Sequence, residues 1–116
     1  MSSDPVEYVV RPDPLARVRD GYGVIVVEDS MKPEFRSGDI ALVNPHLPPR
    51  AGDTCVFRHQ EEDGTETAII KHLRRATAER WLVRQHNPPD GMAADFALSR
   101  REWGVAHRVT GKMARR

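Results

Sequence analysis

Disulfide scaffolding is excluded by a single cysteine, Cys55, in 116 residues, and a lone thiol suits a reducing compartment. No apolar run approaches the ~20 residues that span a bilayer. Met1-Ser2-Ser3-Asp4-Pro5 lacks the basic-then-apolar pattern of a secretory leader. The expected setting is therefore cytoplasmic, with no membrane partner. Charge of one sign is also missing: 18 Lys and Arg stand against 17 Asp and Glu, a balance too even for a dedicated nucleic-acid surface. The basic clusters at Arg74-Arg75, Arg100-Arg101 and residues 112–116 are expected to be solvated surface. There is no glycine-rich phosphate loop. His46, His59, His72, His86 and His107 are scattered, none at zinc-ligand spacing with Cys55 or with another histidine. Neither a metal nor a cofactor is expected. Repeats, low-complexity segments and long amphipathic helices are absent as well.

What is present reads as strands and turns, enough for one domain with a modest core. Residues 1–20 are rich in proline and charge, and suggest an extended arm with at most a short strand at Tyr8-Val9-Val10. Gly21-Tyr22-Gly23 opens the run Val24-Ile25-Val26-Val27, whose shortness and β-branching favour a buried strand. Residues 30–35 have room for one helical turn, since proline is tolerated in a first turn. Strands are expected at residues 40–43, 54–59, 67–73, 80–85 and 103–110. Asp63-Gly64 marks the hairpin turn between the third and fourth of these runs, counting from residue 24. Residues 92–102 read as a polar stretch of weak helical or irregular character. Cys55 falls in a strand as a buried, inert thiol, and Trp81 and Trp103 as core or dimer-interface packing.

Two residues carry chemistry. Ser30 follows an apolar strand and precedes a turn, where main-chain N–H groups lack partners and can hold an oxyanion. The plainer reading is a helix N-cap. Lys71 interrupts the apolar run Ala68-Ile69-Ile70-Lys71-His72-Leu73. Strand alternation places Thr67, Ile69, Lys71 and Leu73 on one face, and Ala68, Ile70, His72 and Arg74 on the other. Between Ile69 and Leu73 an ammonium loses hydration, which favours the neutral amine and makes a usable general base. The plainer reading here is an apolar stem with its head in water.

The order of motifs resembles the C-terminal domain of LexA-like and prophage repressors, the self-cleaving serine peptidases related to signal peptidase. The matching pieces are Asp29-Ser30-Met31-x-Pro33, Gly38-Asp39-Ile40-Ala41-Leu42-Val43, Pro48-Pro49-x-x-Gly52-Asp53, Ile70-Lys71-His72-Leu73, Leu82-Val83-Arg84-Gln85-His86-Asn87-Pro88 and His107-Arg108-Val109. The resemblance implies a mainly β, LexA-like twisted ribbon or barrel-like fold of short strands with at most one short helical turn, spanning residues 1–116 as one domain. It implies Ser30 as nucleophile and Lys71 as base. It also implies a homodimer, a cleavage loop of the same or a partner chain as substrate, stimulation by a RecA filament in an SOS response, and DNA contact only through a separate helix-turn-helix domain. Departures are specific. Glu28 stands where the family has glycine, no Ala-Gly or Cys-Gly pair precedes Ser30, and no helix-turn-helix segment is present. An excised or stand-alone domain, a non-catalytic oligomerisation module with a vestigial dyad, and a signal-peptidase-like enzyme acting on other chains are the readings left open.

Overall fold

The computed structural model describes residues 6–9 and 20–114. These form eight strands, β1 (Val6–Val9), β2 (Tyr22–Val26), β3 (Ile40–Asn44), β4 (Thr54–Gln60), β5 (Glu66–Ala76), β6 (Arg80–Arg84), β7 (Asp95–Ser99) and β8 (Val105–Met113). Every pairing is antiparallel, in the order β1-β2-β3-β8-β4-β5-β6-β7. The mainly β expectation holds, and no helix occurs among the described residues. The arm expected at residues 1–20 contributes β1; its residues 1–5 and 10–19, Val10 included, lie outside the described set. No helix of the described residues is long and apolar enough to cross a membrane.

One expectation is corrected. Residues 95–99 are not helical or irregular but form the edge strand β7, paired to β6 from Arg80↔Ser99 to Arg84↔Asp95. Leu98 is buried and Phe96 half-buried on the inward face of β7, an alternation of only two apolar positions in five residues; a short edge strand is one way sheets discourage further pairing.

The β4–β5 hairpin runs through the middle of the core and is buried on both sides. Val56, Ala68 and Ile70 join Val24, Val26, Ala41 and Val43 of β2 and β3 in one cluster, with Met31 and Phe35 added from the loop after β2. Cys55, Phe57, Ile69 and Leu73 join Trp81, Val83, Leu98 and Trp103 in the other. β2 is several strands from β4 in the sheet order, yet packs on it, so the sheet must curl over its own face. Ladder shifts at Leu42/Val43 and Leu73/Arg75 accompany that curl. Trp81 and Trp103 are both core residues, the Trp81 indole donating to Trp103 O at 2.8 Å. Trp103 itself precedes the last strand rather than beginning it.

Candidate active site

Ser30 sits in a loop pinned at both ends. Val26 N–H donates to Asp39 O (2.9 Å) and Gly38 N–H donates to Val26 O (2.6 Å), which closes the loop base. Gly38 takes φ of 94°, a left-handed conformation suited to glycine. Asp39 accepts from Arg36 N–H through Oδ2 at 2.9 Å, and Asp29 Oδ1 accepts from Ser37 N–H. Met31 and Phe35 insert into the core and hold the loop from below. The segment turns without becoming a helix: Lys32 N–H donates to Asp29 O and Phe35 N–H to Met31 O, and the ladder stops there. From the far side, Asn87 N–H donates to Ser30 O (2.8 Å) and Asn87 Nδ2 to Asp29 O (3.0 Å).

Lys71 reaches this loop from β5. It lies across from Cys55 in the ladder, on the face that carries Ile69 and Leu73. Its exposure is 0% and that of Ser30 is 4%. Lys71 Nζ and Ser30 Oγ are hydrogen-bonded at 2.8 Å, although 41 positions separate them in the chain. Cys55 beside them is a buried thiol whose pKa is pushed up to about 11, chiefly by that burial. A thiol held protonated is a poor nucleophile.

The next residue of β5 faces the other way. His72 meets Glu34 and His86, and one ligand atom from each of the three lies within 4.8 Å of the others. His86 Nε2 and Glu34 Oε2 are 2.7 Å apart. Glu34 belongs to the Ser30 loop, and His86 immediately precedes Asn87. Glu34 carries no signal that single-sequence reading would single out, and Asn87 stands in a matched motif with no role of its own assigned there. The histidines looked scattered because the β5–β6 hairpin, with His72 across from Arg84, is what brings His86 back beside His72. Elsewhere, Tyr22 and His107 share a 2.6 Å hydrogen bond. Burial raises the Tyr22 phenol to about 12 and lowers the His107 imidazole.

Residues 3–98 match the model of the Peptidase S24-like family. Repressor protein C of Rhizobium phage 16-3 is 34% identical over 87 residues, an alignment covering 72% of this chain and 33% of that repressor. The chain thus spans about a third of the length of the curated relative it matches. No solved structure matches it.

Proposed function

The chain belongs to the peptidase S24-like family as a LexA-like, prophage-repressor C-terminal domain, and on that premise we propose that it is the self-cleaving-type regulatory and dimerisation domain of a transcriptional repressor, with Ser30 and Lys71 as a catalytic dyad. The observation that carries the reading is the 2.8 Å contact between two buried polar groups. Complete burial favours the neutral amine over the ammonium. A neutral Lys71 takes the Ser30 proton as Oγ attacks a peptide carbonyl. Main-chain amides of the Ser30 loop hold the oxyanion that forms. Collapse breaks the C–N bond, Lys71 returns the proton to the leaving amine, and Ser30 is left as an ester. Water then attacks that ester with Lys71 again as base, releasing the acid and restoring both side chains. The substrate is a cleavage loop from the same chain or from the partner chain of a homodimer, and DNA is contacted through a separate helix-turn-helix domain. A RecA filament is the proposed stimulus.

The test is a chain extended upstream by an Ala-Gly-containing loop and incubated at alkaline pH, where any remaining lysine proton is removed. Self-cleavage that disappears in Ser30→Ala and in Lys71→Ala is expected. Equal cleavage in either variant overturns the dyad. A second reading, an oligomerisation module with a vestigial dyad, is favoured by Glu28, which stands where the family has glycine. Dimeric sedimentation with no cleavage of the extended chain is its signature.

A further inference from the structure

The geometry points to a divalent transition-metal site, of the zinc class, made by the Glu34 carboxylate and the imidazoles of His72 and His86. Among the described residues this is the one place where three His, Cys, Asp or Glu side chains bring their ligand atoms within 4.8 Å of one another. Two imidazoles and a carboxylate are an established zinc donor set, with bonds of ~2.0–2.2 Å and a fourth position open to water. Around one ion of that size the ligand atoms stand roughly 3.4 Å apart. Small side-chain rotations reach that spacing from the present one, in which Glu34 Oε2 and His86 Nε2 touch at 2.7 Å.

The surroundings suit the assignment. Thr54 Oγ1 donates to Glu34 Oε1, which orients the carboxylate and leaves Oε2 turned to the histidines. Such outer partners are what hold metal-binding carboxylates in place. Glu34 and His72 also line a groove of about 470 Å³, so an ion and its water have an entry path. Two other charged groups line it. Lys112 Nζ donates to the main-chain Glu34 O (2.5 Å) rather than to the carboxylate, and Asp53 is paired with Arg50 and Arg108. All three ligands are half-buried, with His86 and Glu34 side chains 23% and 37% exposed.

Position in the chain supplies the consequence. Glu34 lies in the Ser30 loop, His72 follows Lys71, and His86 precedes Asn87, whose N–H holds Ser30 O. A bound ion ties together the two segments that carry the buried pair and the one that holds Ser30 O. The site does not depend on Ser30 acting as a nucleophile.

The experiment is a calorimetric titration of the chelator-treated, untagged chain with Zn²⁺, with Co²⁺ absorption as a second readout. One saturable equivalent and a raised melting temperature are expected, in the Ser30→Ala variant as in the parent. Thr54→Val should weaken binding by roughly 10- to 100-fold, His72→Ala or Glu34→Gln by more, and His46→Ala or His59→Ala not at all. Histidine ring NMR signals of the unaltered chain keep the test decisive if a variant fails to fold: Zn²⁺ should shift His72 and His86 and leave His46, His59 and His107 in place. Absence of saturable binding, binding that survives His72→Ala, or shifts confined to the other histidines overturns the site and leaves an ordinary His86–Glu34 pair.

Discussion

Lys71 and His72 are adjacent on β5, yet one is sealed against Ser30 and the other opens on a groove with Glu34 and His86. The two faces of one strand therefore hold two kinds of polar chemistry. On the Lys71 face, Cys55, Ile69 and Leu73 belong to one buried cluster that excludes water. On the His72 face, partial access keeps side chains hydrated and able to exchange an ion. A slip of one residue would exchange the two faces, so register, rather than composition, decides which of the two side chains is sealed and which is half-exposed.

The sharpest way to break this contrast is Lys71→Met, an apolar replacement of similar length. If Lys71 is a dry base, self-cleavage of the Ala-Gly-extended chain should fall by ~10³-fold or more, as for loss of a dyad or triad member. Stability should fall by no more than about 1–3 kcal/mol, the cost of taking one partner from a buried hydrogen-bonded hydroxyl. A larger drop would mark Lys71 as a structural residue instead.

Neighbouring truncations on β5 come next. Leu73→Ala, at a fully buried site, should cost about 2–5 kcal/mol in denaturant unfolding. His72→Ala, one position away on the half-buried face, should cost less than about 1 kcal/mol without metal. Similar losses from the two would mean that the faces do not differ as described.

Cys55 reports the dryness of the Lys71 face at smaller cost. Its thiol is raised to about 11 by burial. Ellman's reagent at pH 8 should therefore modify the folded chain far more slowly than the denatured one, and rapid labelling of the folded chain would show that water reaches Lys71. The mildest effect belongs to the opposite face, where His107 pairs with Val56 across the ladder. Burial, then the charge of Arg58, lowers its pKa below the ordinary 6.5. The unfolded chain thus binds the proton more readily, so this contribution to stability is complete above pH 6.5 and is lost as pH falls toward the folded value. His107→Gln should flatten that part of a stability–pH profile measured by urea unfolding.

Much of this was readable beforehand because it is local. The run 24–27, the Asp63-Gly64 turn and the alternation around Lys71 are short-range patterns, and each has its counterpart in β2, the β4–β5 hairpin and the two core clusters. β7 escaped because Phe96 and Leu98, its two inward apolar side chains, make an alternation too short to stand out in a five-residue edge strand. The Glu34, His72 and His86 group escaped because none of its members is near another in the chain.

By itself the sequence determined a mainly β domain with a serine after one apolar strand and a lysine inside another, since strand propensity, turn chemistry and side-chain alternation act over a few residues. Only the tertiary structure decided that the hydroxyl and the amine meet at 2.8 Å, and that a carboxylate and two imidazoles gather on the reverse face. Those distances arise from the curl of the sheet and the pairing of strands far apart in the chain, which burial of both faces of the β4–β5 hairpin imposes.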